Sequence, residues 1–239
     1  MLLLFDIDGT LLIRAHVEHR HALAAAIREV WGAEDPGYAA LSAAGRTDTE
    51  IAREICLLAG VGAARFDAAI DEFEIACARA YAGLAPADLR DRLAPDVERV
   101  LSDLVGRDGV RLSLVTGNLE PVARMKLERS GLAQFFAAGQ GGFGSDAEDR
   151  TELPALARRR AGSNGRPYPR EHTVVVGDTP HDIVCAHADG LRCIAVTTGP
   201  YSAHELRRAD LVIAGLRELP PRIVRRPAAS AGVGLNLPE

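Results

Sequence analysis

From Pro95 to Ile213 the chain alternates between amphipathic helical stretches and short apolar runs, and this alternation is what most narrows the folds open to it. Strands separated by helices build a parallel sheet with helices on both faces. Such strands are buried on two sides and read as continuous apolar runs. Leu112 to Val115, Thr173 to Val176, Cys193 to Val196 and Leu211 to Ile213 are runs of this kind, and Leu2 to Phe5 is another. A further short strand is expected from Phe135 to Ala138. Pro95 is expected at the first position of a helix whose face is Val97, Val100, Leu101 and Leu104. Other helices are expected from Pro121 to near Gly131, from about Thr151 to Ala161, and from about His181 to Ala188, with Gly190 as the stop.

Between the first strand and this region the pattern differs. Leu23, Ile27 and Val30, then Ile51, Ile55 and Leu58, then Phe66, Ile70, Phe73 and Cys77 recur at helical spacing, with no convincing strand among them. Trp31 and the Phe66/Phe73 pair read as the core of these helices. Residues 15–91 are therefore read as a helical insertion of small-domain size, about 75 residues, in a discontinuous core made of 1–14 and 92–221. Residues 222–239, rich in Pro, Ala, Gly and Arg without periodicity, are read as a mobile tail.

A parallel sheet places function at the carboxyl ends of its strands. Three apolar strands end in polar clusters: Asp6 and Asp8 after the first, Thr116–Gly117–Asn118 after the second, Gly177–Asp178 with Asp182 after another. Asp6 and Asp8, two apart, project to one side of an extended chain, and their repulsion would be relieved by a cation. Hard oxygen donors without His or Cys suit Mg²⁺. Any one of these aspartates could equally be a turn residue or helix cap; four at two strand ends argue for a site. A hydroxyl and free backbone N–H groups before the helix at Pro121 make Thr116, Gly117 and Asn118 a candidate phosphate seat, although Thr or Asn there is also a common cap. The positive partner would be Arg150 or Lys126. Arg150 is favoured because it falls at a helix start, where a side chain reaches the sheet edge more easily.

Composition limits the partners. Acidic residues number 33 and basic residues 28, a net charge of −5, so the basic footprint of a nucleic-acid or membrane-surface binder is missing. Leu2 to Phe5 is too short for a signal-peptide core or a membrane span. The four cysteines form no C-x-x-C pair and read as free thiols in a reducing, cytoplasmic setting. His16, His19 and His21 form an H-x-x-H-x-H cluster, read as surface or hinge histidines because no second cluster supports a metal site. Lys126 is the chain's single lysine; every other basic residue is arginine. No surface stripe specifies an oligomer.

Asp6–Ile7–Asp8–Gly9–Thr10 matches the D-x-D-G-T signature of the haloacid dehalogenase-like hydrolase superfamily. Val115–Thr116–Gly117–Asn118 resembles its second motif, and Gly177–Asp178–Thr179–Pro180–His181–Asp182 its fourth, G-D-x-x-x-D. The order and spacing agree from Leu2 to about Ile213, and the insertion resembles the C1 cap of the phosphoglycolate phosphatase and β-phosphoglucomutase branch. The departure is the third motif, usually Lys, here Arg150 or Lys126.

The resemblance implies an α/β fold, a Rossmann-like parallel-sheet core with an inserted helical C1 cap. It also implies a Mg²⁺-dependent phosphatase acting on a small phosphorylated metabolite. Asp6 would be the nucleophile and Asp8 the proton donor and then base. Mg²⁺ would sit on Asp6, the Asp8 backbone carbonyl and Asp178, with Asp182 behind it or bound through water. Thr116 and the Gly117 and Asn118 amides would hold the phosphate oxygens. Gly45–Arg46–Thr47–Asp48 resembles the cap loop that faces the site, with Arg46 toward the leaving group; otherwise it is a helix–helix turn capped by Asp48 or Thr49. A phosphomutase would use the same residues. A dehalogenase is disfavoured by Asp8 and the metal carboxylates. A phospho-receiver or an inactive scaffold is disfavoured by the large insertion and by the presence of Asp6, Asp8 and Asp178.

Overall fold

The computed structural model describes residues 1–34 and 43–219. Six strands, β1 (Leu2–Phe5), β2 (Arg111–Thr116), β3 (Gly142–Phe143), β4 (Thr173–Gly177), β5 (Arg192–Val196) and β6 (Leu211–Ile213), form one parallel sheet in the order β3-β2-β1-β4-β5-β6. Between them run α5 (Val97–Val105), α6 (Glu120–Ser130), α7 (Leu153–Ala161) and α8 (Pro180–Ala188). Successive strand residues feed opposite faces. Leu3, Phe5, Val174 and Val176 pack with α5 and α6, whereas Leu2, Leu4, Val175 and Cys193 pack with α7 and α8. Both faces are apolar, which is why these strands show no polar alternation.

Strand order runs outward from β1 to β2 and β3 on one side and from β4 to β5 and β6 on the other. Connections leave in opposite directions at the β1/β4 boundary, and that reversal opens a crevice at the carboxyl ends of the two strands. Asp6 and Asp8 follow β1, and Asp178 follows β4.

The segment between β1 and α5 carries α1 (His16–Trp31), α2 (Asp48–Leu58), α3 (Ala63–Asp67) and α4 (Ile70–Leu84). Their shared core includes Leu23, Ile27, Ile55, Phe73 and Tyr81, with the Trp31 ring stacked on Phe66 at 4.6 Å and 13°. Leu119 and Val122, at the start of α6, belong to the same cluster, so the insertion rests on the sheet domain through apolar contact. Backbone and hydroxyl bonds stitch its loop down. Asp48 N–H donates to the Gly117 carbonyl (2.8 Å), Thr49 Oγ1 to that of Gly144 (2.7 Å) and Thr47 Oγ1 to that of Glu148 (2.6 Å).

Three local expectations need correction. Residues 135–138 are not a strand: Ala133–Phe135 is a 3₁₀ turn, and Phe136 turns its ring edge onto Phe5 at 6.2 Å. The strand lies at Gly142–Phe143, where a Cβ on Gly142 would collide with the Leu153 carbonyl, so only glycine lets α7 lie this close. Pro95 is not the first helical residue; it precedes Asp96, the N-cap at φ 59°. The Phe66-to-Cys77 stripe is divided between α3 and α4, which pack into one core. The expected tail lies outside the described residues.

A Cβ on Gly117 would run into the Arg46 carbonyl oxygen. Gly117→Ala is therefore expected to push the insertion loop off the sheet edge and cost about 1–3 kcal/mol, as overpacking does. The check is thermal melting with limited proteolysis, which should find earlier cleavage in the insertion than in the wild type.

Candidate active site

At the β1/β4 boundary three carboxylates and one guanidinium are packed out of water. Asp6, Asp178 and Asp182 each offer an oxygen within 4.8 Å of the others, and all three are buried. Arg150 enters from the 3₁₀ turn Arg150–Glu152 ahead of α7, and its Nη2 donates to Asp6 Oδ1 (3.1 Å) and Asp182 Oδ1 (2.5 Å). Asp182 has little capacity left. Its Oδ2 accepts from the Asp178 and Thr179 N–H groups and from Thr179 Oγ1, a capping box that starts α8. Asp178 Oδ1 accepts from Thr10 Oγ1 (3.1 Å), while its Oδ2 is buried with no hydrogen-bond partner among the described residues.

Burial, and then the neighbouring Asp182 carboxylate, pushes Asp6 up to about 7 against the pull of Arg150. Burial, then Asp6 and Asp182, pushes Asp178 up to about 9. Glycine makes this crowding possible. A Cβ on Gly9, at φ +89°, or on Gly199 would strike the Asp178 carboxylate. One arginine does not neutralise three carboxylates. The orphaned Asp178 oxygen, the all-oxygen donor set and the raised pKa values together fit a hard divalent cation held by Asp6 and Asp178. Asp182 is taken up by Arg150 and the loop N–H groups.

Asp8 stands on the other side of Asp6's loop and lines a cavity of about 410 Å³ between sheet edge and insertion. Its Oδ2 accepts from Lys126 Nζ (2.5 Å) and Asn118 Nδ2 (2.8 Å). Burial pushes its pKa up, but the ammonium of Lys126 and these hydrogen bonds outweigh that and hold it below the ordinary carboxylate value. Both candidate cations thus reach the site, on different aspartates.

Thr116 does not cap α6. Its fully buried hydroxyl accepts from Asn118 N–H (3.3 Å) and Nδ2 (3.0 Å), and the helix has Leu119 at its N-cap. The α6 N–H groups are served from elsewhere: Asp48 Oδ2 takes Leu119 N–H (2.8 Å) and Ser145 Oγ takes that of Glu120 (3.1 Å). The cap of α2 is Thr47, not Asp48 or Thr49. Gly117 and Asn118 line the cavity. Arg46 lines it too, with its guanidinium bridged to Glu50 (2.8 Å) and Glu54 (2.6 Å).

The histidines divide: His16 lines the cavity, His19 is buried against Lys126 and Asp48, and His21 is exposed. Sequence reading missed Thr10, His19 and Asp48 as members of the site, and Thr198–Gly199 beside Asp178. The last pair was findable, because Thr197 to Pro200 is another polar break after an apolar strand.

Residues 3–187 match the model of the haloacid dehalogenase-like hydrolase family. The tyrosine-protein kinase PtkA of Mycobacterium tuberculosis is 31% identical over 201 residues, covering 83% of this chain and 62% of the relative, so this chain spans less than two thirds of that protein. Among solved structures, β-phosphoglucomutase from Clostridium difficile superposes with a TM-score of 0.67 at 14% identity, covering 93% of this chain and 94% of that one. A protein described as a predicted phosphoglycolate phosphatase from Haemophilus somnus gives 0.61 at 21%, covering 90% and 94%. At such identities the likeness is one of fold, and it extends across the sheet and the helical insertion. With the family model spanning both strand-end aspartate clusters, the chain belongs to the haloacid dehalogenase-like hydrolases.

Proposed function

We propose that the protein is a Mg²⁺-dependent phosphatase of a small phosphorylated metabolite, working through an aspartyl-phosphate on Asp6. The observation that carries this is the pairing of Asp6, packed with Asp178 and Arg150, with Asp8, anchored separately on the lining of the same cavity. Two carboxylates with different partners can take two roles.

Asp6 is the nucleophile. Its oxygen bonds to phosphorus as the ester P–O bond breaks, and the departing oxygen takes the proton of Asp8. Water then attacks the aspartyl-phosphate, its proton passes to Asp8, and inorganic phosphate leaves Asp6. In the free protein Asp8 is held as the carboxylate; the first proton arrives with the monoester, whose monoanion carries one with a pKa of about 6. Mg²⁺ on Asp6 and Asp178, with the Asp8 carbonyl, would neutralise charge on the transferring group. Arg150 and the Gly117 and Asn118 amides hold that group in place, while the buried Thr116 hydroxyl fixes the Asn118 side chain from beneath. Residues 15–91 act as the cap that selects the leaving group, and Arg46 reads it from the cap loop. A phosphomutase would run the same first step and return the phosphoryl group to a second hydroxyl.

Phosphate release from p-nitrophenyl phosphate should require Mg²⁺, stop with EDTA, and fall by about 10³-fold or more in Asp6→Asn. Folded wild type that releases nothing from this ester or from a panel of sugar and carboxylic-acid phosphates sinks the reading. Isomerised sugar phosphate without net release favours the mutase. The panel includes ATP with a tyrosine peptide, on account of the kinase name of the 31% identical relative.

A second expectation concerns pH. Asp6 and Asp178 have raised pKa values in the folded, metal-free protein. The folded state therefore binds more protons than the unfolded state above about pH 4, and stability contributed by these groups falls as pH rises toward 7 and 9. Metal must displace those protons, so affinity strengthens over the same range. Melting curves with EDTA should show Tm declining from pH 5 to 8, and the Tm increment from Mg²⁺ should grow with pH. A Mg²⁺ increment independent of pH would refute the carboxylate site.

A further inference from the structure

Lys126 projects from α6 and has no exposure to solvent, although it is the single lysine in a chain that otherwise uses arginine. An ammonium has three N–H donors and no acceptor. Here each finds one partner: Asp8 Oδ2 at 2.5 Å, Asn118 Oδ1 at 2.6 Å and His19 Nδ1 at 3.1 Å. Because the ammonium can only donate, His19 Nδ1 accepts, which puts the imidazole proton on Nε2. That nitrogen lies 2.9 Å from Asp48 Oδ2, whose other donor is the Leu119 N–H at 2.8 Å. A continuous chain therefore runs Asp8–Lys126–His19–Asp48. Its first two members sit on the sheet domain, and its last two on α1 and α2 of the insertion.

The chain secures one oxygen of Asp8. Its Oδ1 has no hydrogen-bond partner among the described residues. A guanidinium would bring five donors in a planar fork to a pocket that supplies three acceptors, so arginine does not substitute here.

Resting on the phosphatase reading above, we propose that Lys126 is a positioning residue for Asp8 and that His19 with Asp48 holds Lys126 in place, so that Asp8 is aimed for proton transfer only while the helical insertion is seated. The bonds made and broken are those of the two-step reaction: Lys126 exchanges no group and fixes the carboxyl that gives its proton to the leaving oxygen and takes it back from water.

The test is kcat/KM for a series of aryl phosphates from phenyl to 2,4-dinitrophenyl, with Mg²⁺, because this ratio reports the first step and the series varies only the leaving group's need for a proton. Lys126→Met should lose about 10²-fold on the phenyl ester and less than about tenfold on the dinitrophenyl ester. It should also release a burst of dinitrophenolate before slow turnover. Lys126→Arg should behave as Lys126→Met, and His19→Gln should show the same steepening at about a tenth of the size. If Lys126→Met does not fold, His19→Gln decides. Equal losses across the series, or none, would overturn the proposal. Asp8→Asn is the control: if it shows no steepening, Asp8 is not the proton donor and the reaction chemistry itself is wrong. Wild type inert toward every ester refutes the phosphatase reading, and this assignment with it.

Discussion

Confining carboxylates at one sheet edge is the constraint on which the rest of this structure depends. Asp6, Asp178 and Asp182 are held out of water within a few ångströms, a placement that costs several kcal/mol per unpaired charge unless something positive shares the space. The surroundings answer that cost locally. Arg150 bridges Asp6 and Asp182, the Asp178 and Thr179 N–H groups ahead of α8 donate to Asp182, and glycines at 9 and 199 vacate the volume that Asp178 occupies. What is left unanswered is an oxygen of Asp178 and an upward push on two pKa values, an arrangement that fits a cation.

The two buried cations are separated by the geometry of their carriers. Arg150 leaves a 3₁₀ turn at the head of α7, and its Nη2 alone reaches both Asp6 and Asp182. Lys126 leaves the second turn of α6, where a single extended stem reaches one carboxylate and leaves two donors for neutral partners. Sequence reasoning had set these residues against each other as rivals for one position, on the argument that a helix start lies nearer the sheet edge. That argument described Arg150 well. It missed that α6 itself starts at the sheet edge, so its second turn is still within reach.

Much of the fold was legible because parallel strands buried on both faces leave unbroken apolar runs, and five of the six strands did so. The sixth did not: β3 is Gly142–Phe143, where close approach of α7 removed the side chains that a pattern would have needed. The aspartates were legible because they follow strands in sequence. His19 and Asp48 were not, because their partners lie 107 and 71 residues away and nothing local marks a histidine as facing an ammonium rather than water. Asp48 in particular has the look of a helix cap and is one, but for α6 instead of the helix it begins.

That misdirected cap says how the two parts of the molecule are coupled. A helix N-terminus left bare would leave donors unsatisfied, so α6 needs an acceptor. The acceptor comes from the insertion, on the same oxygen that faces His19 and thus Lys126. Lifting the insertion would uncap α6, strand Lys126 and loosen Asp8 together. Seating it restores all three. A fold that ties the start of a sheet-edge helix to a side chain from the insertion makes the order of the aspartates at that edge depend on the insertion's being seated.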